Sequence, residues 1–276
     1  MKKILIVWSK KFFEWTWSVL YKNIWLKADI VSHKDLAIVY REAPYILVDK
    51  NELDLDSYKS AFILCPEVKS TIWFSILILV LEFYKINVFQ WKHIRKYISK
   101  SSFYMDLYRI WLWKRVIQSE LVLTENLMSK FNQEDIIEKP EMWFWGRWVR
   151  ILFNNKKSDF NSNYLYQKRI QNNWDVRVLF LKGHWCYWYS RVSNDWKIQN
   201  NVSMWWTISK FKIPKWMRDE VEFISKKLGI KYFWIDYVYD IKYDHWYIFE
   251  INLMPWNKWI RELYWVNIYE KLAYYI

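Results

Sequence analysis

The segment Trp143-Phe144-Trp145-Gly146-Arg147-Trp148 and the pair Trp205-Trp206 put indole rings where turn-like backbone asks for glycine. Asn173-Trp174, Asp195-Trp196 and His245-Trp246 repeat the pattern, each with a turn-forming or polar residue before the ring. Glycine reaches φ > 0 without steric cost, whereas a bulky side chain there is strained. Tryptophan fills 23 of the 276 positions and glycine only 3. Counted together they make 26 of 276, near and somewhat above the roughly 7% that glycine alone has in average proteins, whereas 3 is far below it. One explanation is genetic: UGA is read as Trp in some codes and as Gly in others, so a UGA-for-Gly gene translated with the wrong table gives this pattern. The other takes the rings literally, as those of a Trp-rich protein that binds glycans or a membrane interface.

The bulk properties set wider bounds. This length suits one large or two modest domains and buries a core without disulfides or metals. Cys65 and Cys186 lie far apart with no metal or redox spacing, which fits a reduced, cytoplasmic protein. The start, MKKILIVWSKK, has a basic flank but too short an apolar run for a signal peptide. The apolar stretch from Ile72 to Leu81 falls well short of the roughly 20 residues of a membrane span and reads as a buried helix. The formal net charge of +13 is dispersed in runs no longer than pairs. It is assigned to solvated faces and a phosphate-binding cleft, so neither nucleic acid nor membrane is expected as a partner.

Lys3 to Val7, then Trp8-Ser9 and a helix-length segment, read as strand, turn and helix, the opening of a Rossmann-like unit. Further strand-like runs at Leu36 to Tyr40, Tyr45 to Val48, Ala61 to Cys65 and Ile86 to Phe89 predict an α/β domain with a mostly parallel sheet over residues 1–98. Beyond it, 115 to 123 and 134 to 140 read as strands around a short helix capped by Thr124, and 148 to 251 is strand-rich. Pro214 to Gly229 breaks that run as an amphipathic helix, with Met217, Val221, Ile224 and Leu228 on one face and Gly229 as its C-cap. A last helix is expected from Val266 to Ala273.

Two constellations carry chemistry. With Trp read as Gly, Lys139 to Val149 becomes KPEMGFGGRGV, a strand ending in Lys and then a Gly-rich turn whose N–H groups can close over phosphate oxygens. Glu250 and Asn252 are two apart on a strand and so share a face. With Asp236 on an adjoining strand they form a hard-oxygen set suited to Mg²⁺ and nucleotide phosphates. Taken singly, an ordinary loop and polar strand ends explain both patterns. The four histidines show no ligand spacing.

Together, in order and spacing, these motifs resemble the ATP-grasp superfamily, and within it the RimK-like carboxylate-amine ligases, from about residue 95 to the C-terminus. The landmarks are Lys100, KPEMWFWGRWV, the hinge strand YQKRI (Tyr166 to Ile170), Asp175-Val176-Arg177, Arg191, Asn201 before Trp205-Trp206, Trp234-Ile235-Asp236, and EINLMPW from Glu250. The resemblance implies a Rossmann-like pre-ATP-grasp domain over 1–98 and a two-lobed ATP-grasp domain over 99–276. Its small lobe would span about 100–168 and its C-terminal lobe 169–276.

The resemblance also implies roles. Lys100 and Lys139 hold ATP phosphates under the loop of Trp143, Trp145, Gly146 and Trp148. The backbone of Gln167, Lys168, Arg169 and Ile170 receives adenine, and Asp175 orients the nucleotide. Asn201 touches phosphate or metal, and Asp236, Glu250 and Asn252 carry Mg²⁺, with Mn²⁺ as the alternative ion. Arg177 and Arg191 are the catalytic residues, facing the substrate carboxylate and its acyl phosphate. The implied activity is an ADP-forming ligase joining a carboxylate, that of a small acid or of a peptide or protein C-terminus, to an amino acid, glutamate first. A homo-oligomer is left open. Lys168 and Gln199 depart from the family pattern, which often has an acidic hinge residue and an Arg there. Those departures also allow a catalytically silent nucleotide-binding module.

Overall fold

The computed structural model describes residues 3–8, 28–64, 71–97, 99–121, 136–141, 149–152, 163–170, 172, 174–183, 186–193, 206–253, 258–266 and 268–272. The chain divides into two compact units, Met1–Arg95 with Val266–Ile276, and Lys96–Trp265. No helix among the described residues is long and apolar enough to cross a membrane.

In the first unit, β1 (Lys3–Trp8), β2 (Ala28–Ser32), β6 (Tyr58–Leu64) and β7 (Asn87–Val88) form a parallel sheet in the order β2-β1-β6-β7. Ile4, Leu5, Ile6 and Val7 are all buried, as expected for a parallel strand covered on both faces. Helix Thr71–Phe83 buries Phe74, Leu77, Ile78 and Leu81, the i, i+3, i+4, i+7 stripe. Val80 is buried beside that stripe, while Leu79 is 55% exposed, so the helix is buried on one face and not all round.

The runs at 36–40 and 45–48 do not join the parallel sheet. With β5 (Asn51–Glu52), β3 (Leu36–Tyr40) and β4 (Pro44–Val48) form a separate antiparallel meander. The reason is connection length: parallel neighbours need a crossover of a dozen or more residues, while a tight turn joins antiparallel ones. Asp49 and Lys50, both at positive φ (47° and 70°), make the two-residue turn that joins β4 to β5.

In the second unit, β8 (Ser119–Leu121), β9 (Ile136–Pro140), β10 (Arg150–Leu152) and β11 (Tyr164–Lys168) form an antiparallel sheet in the order β10-β9-β11-β8. A five-stranded antiparallel sheet follows, β14-β13-β12-β15-β16, from β12 (Trp174–Leu181), β13 (Tyr187–Ser193), β14 (Trp206–Ser209), β15 (Tyr232–Asp240) and β16 (His245–Asn252). Helix Lys215–Leu228 covers one face of this sheet. Met217, Val221 and Ile224 are buried, Glu220 accepts from the Tyr237 hydroxyl at 3.0 Å, and Gly229 caps the helix at φ 72°. Leu228 is half-buried, and the C-terminal segment forms two short helices, Lys258–Tyr264 and Ile268–Leu272. Thr124 lies outside the described residues.

Trp174 and Trp206 begin strands and Trp246 is the second residue of its strand, and none of them takes positive φ, contrary to the turn conformation expected there. Each holds an extended position open to Gly and Trp alike. The Trp174 and Trp246 rings meet edge to face at 5.2 Å. Among the described residues, Trp111 (φ 66°) and Trp265 (φ 56°) are the tryptophans in the left-handed region, each just past a helix end. After helix Lys100–Arg109, Leu112 N–H donates to Leu107 C=O and Trp111 N–H to Tyr108 C=O, the paired bonds of a Schellman cap. Trp265 N–H donates to Arg261 C=O at the end of helix Lys258–Tyr264.

Candidate active site

Strand register gathers the predicted residues of the large sheet. Arg177 stands opposite Asp236, Asp236 opposite Glu250, and Asp175 opposite Arg191. Cross-strand partners and residues two apart share a face. Asp175, Arg177, Arg191, Asp236, Glu250 and Asn252 therefore occupy one face of the sheet, the one away from helix Lys215–Leu228.

Four of them form a buried ion cluster. Arg191 Nε donates to Asp175 Oδ1 at 2.6 Å and its Nη2 to Asp175 Oδ2. Arg177 Nε donates to Asp236 Oδ1 at 2.6 Å and its Nη2 to Asp236 Oδ2, which also accepts Arg191 Nη2 at 3.0 Å. Burial works to raise Asp236, but the Arg177 and Arg191 guanidiniums outweigh it and hold its pKa below the usual carboxylate range. Burial pushes Asp175 up against the pull of Arg191. Burial opposes the Arg191 charge as well, yet Asp175 and Asp236 raise its pKa.

An ionised carboxylate has about four lone-pair sites. Three bonds from the two arginines leave Asp236 about one for a metal ion, whereas Glu250 and Asn252 are half-buried at the end of β16. Two carboxylates and an amide, all hard oxygen donors on one face, fit a small divalent cation that keeps water and phosphate in its shell. Among the described residues, no group of three or more His, Cys, Asp or Glu side chains comes together to hold a metal unaided.

Lys139 approaches the same strand from the smaller sheet, and Lys100 from the helix beside it. Lys139, on β9, is 2% exposed; its Nζ donates to Gln167 Oε1 at 2.8 Å and lies 4.3 Å from the Phe249 ring centre. Burial, with Lys100 adding repulsion, brings its pKa down to about 7. Lys100 opens helix Lys100–Arg109, and its Nζ donates to Pro140 C=O at 2.7 Å. Burial lowers its pKa too, against the attraction of Glu250 and Glu141. Glu141 Oε1 accepts the Ser101 N–H at 2.9 Å and the Ser99 hydroxyl, tying the residue after β9 to the start of that helix.

Gln167 is fully buried, its amide between Lys139, Tyr104 and Ser119. Lys168 N–H donates to Gln118 C=O at 2.9 Å, and its ammonium lies 4.7 Å from the Tyr243 ring centre, toward the β15–β16 turn. Arg169 and Ile170 are half-buried beyond the strand end. Trp143, Trp145, Gly146, Trp148, Gln199 and Asn201 lie outside the described residues.

Sequence reasoning missed Tyr104. Its hydroxyl donates to Phe249 C=O at 2.8 Å and accepts from Gln167 Nε2 at 3.0 Å and Lys139 Nζ at 3.3 Å. The one available signal is its place a turn after Lys100, which puts both side chains on one helix face.

No protein-family model and no curated protein sequence matches the chain. Solved structures do. The ATP-grasp ligase PsnB, complexed with a phosphomimetic variant of its minimal precursor, Mg and ADP, superposes with a TM-score of 0.71 at 14% identity, over 99% of this chain and 97% of that one. The macrocyclase MdnB from Microcystis aeruginosa MRC gives 0.69 at 9% identity, covering 99% and 98%. A RimK domain ATP-grasp protein from Sphaerobacter thermophilus DSM 20745 gives 0.65 at 12% identity, covering 99% of each. The chain has the ATP-grasp fold.

Proposed function

We propose that the protein is an ATP-dependent carboxylate-amine ligase that uses Mg²⁺. The observation that carries this reading is the single sheet face holding Asp236, Glu250 and Asn252 beside Arg177 and Arg191, with Lys139 reaching the same strand from the smaller sheet. A substrate carboxylate oxygen attacks the γ-phosphorus of ATP, the bond to ADP breaks, and an acyl phosphate forms. An amine nitrogen then attacks the acyl carbon, phosphate leaves, and the amine loses a proton. Such a reaction needs positioning and charge neutralisation more than acid-base groups. Lys139 and Lys100 serve the ATP phosphates, and Arg177 and Arg191 the substrate carboxylate and acyl phosphate. Asp236, Glu250 and Asn252 would hold a divalent ion, which would supply charge neutralisation to phosphoryl oxygens.

The first unit is, in this reading, the Rossmann-like domain that precedes an ATP-grasp domain, with its sheet order as support. An amino acid, glutamate first, is the proposed amine. The acid is a small carboxylate or a peptide, the latter suggested by the precursor peptide in the PsnB complex. We propose as well that the natural protein carries glycine at most of the Trp positions. The test is a panel of acids, peptides and amino acids with MgATP, run on the protein as its own host translates it, reading ADP release and product mass. ADP release matched by amide formation is expected. ATP turnover that yields no amide with any acceptor counts against ligation, and no nucleotide binding at all leaves a silent fold.

A further inference from the structure

We propose that Tyr104 is a positioning residue whose hydroxyl holds the Lys139 ammonium in register with the strand that carries Glu250. The inference rests on the ligase reading for what Lys139 and Glu250 bind, and adds what fixes the distance between them.

Tyr104 is 5% exposed on helix Lys100–Arg109, between two sheets. A phenol has one proton to give and lone pairs to receive. Here the proton goes to Phe249 C=O at 2.8 Å, one residue before Glu250 on β16. That bond fixes the hydroxyl's rotation, and the lone pairs then face Gln167 Nε2 at 3.0 Å and Lys139 Nζ at 3.3 Å, on β11 and β9. One oxygen atom thus joins the phosphate-side sheet to the metal-side sheet. Gln167 is braced in turn, its Nε2 also donating to Ser119 Oγ at 2.8 Å.

Lys139 also donates to Gln167 Oε1 at 2.8 Å, a bond that stays within the smaller sheet, and its contacts toward β16 other than the Tyr104 hydroxyl are less directional. Its ammonium lies 5.8 Å from the Tyr104 ring centre and 4.3 Å from that of Phe249, and attraction to a ring face does not fix direction as a hydrogen bond does. Phenylalanine at 104 would fill the same volume but leave the Phe249 carbonyl and Lys139 each one partner short. Lys139 would then move between Gln167 and the ring faces.

The experiment is calorimetric titration of MgATP, and of adenosine as a phosphate-free probe, into the parent, Tyr104→Phe, Lys139→Ala and the double variant. Tyr97→Phe is the control: it removes another buried tyrosine hydroxyl, one that donates to Asp106. Tyr104→Phe is expected to weaken MgATP about tenfold, to leave adenosine unchanged, and to cost nothing further once Lys139 is alanine. Tyr97→Phe is expected to bind both like the parent. Should Tyr104→Phe fail to fold, 3,5-difluorotyrosine at 104 keeps the shape and makes the oxygen a poorer acceptor, and the same Lys139-dependent loss is expected. MgATP affinity equal to the parent's, or an equal loss with and without Lys139, overturns the inference. A parent that binds no MgATP overturns the ligase reading, and this inference with it.

Discussion

Asp236 and Glu250 face each other across β15 and β16, and Arg177 stands on the other side of Asp236 in the same row. Asp236 sits between two guanidiniums and Glu250 does not. The two carboxylates are therefore unequal: Asp236 anchors the arginines, and Glu250 is the carboxylate left more available to the proposed metal ion.

Glu250→Gln and Asn252→Ala should each lower Mg²⁺-dependent nucleotide binding and turnover at least about tenfold, the scale of one charge-assisted contact. Both residues are half-buried at a strand end, so neither change opens a core cavity. Titration with MgATP and with ATP plus chelator checks this alongside circular dichroism. An equal loss in both titrations would take the two residues out of a metal site.

Asp175→Asn should destabilise the fold by about 3 kcal/mol or more, because it strips the bidentate partner from a buried guanidinium. Asp175 and Arg191 are 1% and 3% exposed, so water cannot take its place. Urea unfolding measures it, and a change below about 1 kcal/mol, the worth of a surface pair, would show the cluster to be wetter than the structure has it.

Lys139 gives stability a pH dependence. Burial, with Lys100 adding to it, brings its pKa to about 7 in the fold, whereas an unfolded lysine keeps its proton to about 10.4. Between those values the unfolded chain binds the extra proton, so stability rises with pH. Unfolding free energy should climb from about pH 7 to 9, below the range where tyrosines titrate, and more gently in Lys139→Met. Lys100, lowered in the same direction, keeps part of the slope in that variant. Parallel pH profiles would remove Lys139 as a cause.

The shared face of Glu250 and Asn252 was legible because the two-residue period of a strand sets one beside the other whatever the rest of the fold does. Lys139 was legible for a similar reason, as the last cation on its strand before a turn that becomes Gly-rich when Trp is read as Gly. Tyr104 was not, because its role depends on Phe249 and Gln167, 145 and 63 residues away in sequence. The engagement of Asp236 by both arginines was hidden too, since β15, which carries Asp236, pairs with β12 across a long connection. The β3–β5 meander was missed because apolar runs announce strands but not the partners they choose.

Trp111 and Trp265 make the translation question testable. Both hold the left-handed conformation just past a helix end, the position where glycine is favoured because it has no Cβ to clash. Their rings are 84% and 91% exposed, so removing them gives up little burial. Trp111→Gly and Trp265→Gly should each stabilise the Trp-bearing chain by about 1 kcal/mol, the cost of αL for a residue with a Cβ. Thermal unfolding checks the direction; destabilisation by either change would mean that the rings contribute packing the structure does not show. The gene supplies the independent check. UGA is expected at both codons and at nearly all the other Trp codons, with GGN codons at Gly146, Gly183 and Gly229. UGG at most Trp codons would end the glycine reading, and the proposed phosphate loop within 139–149 would then have to work with three indoles in it.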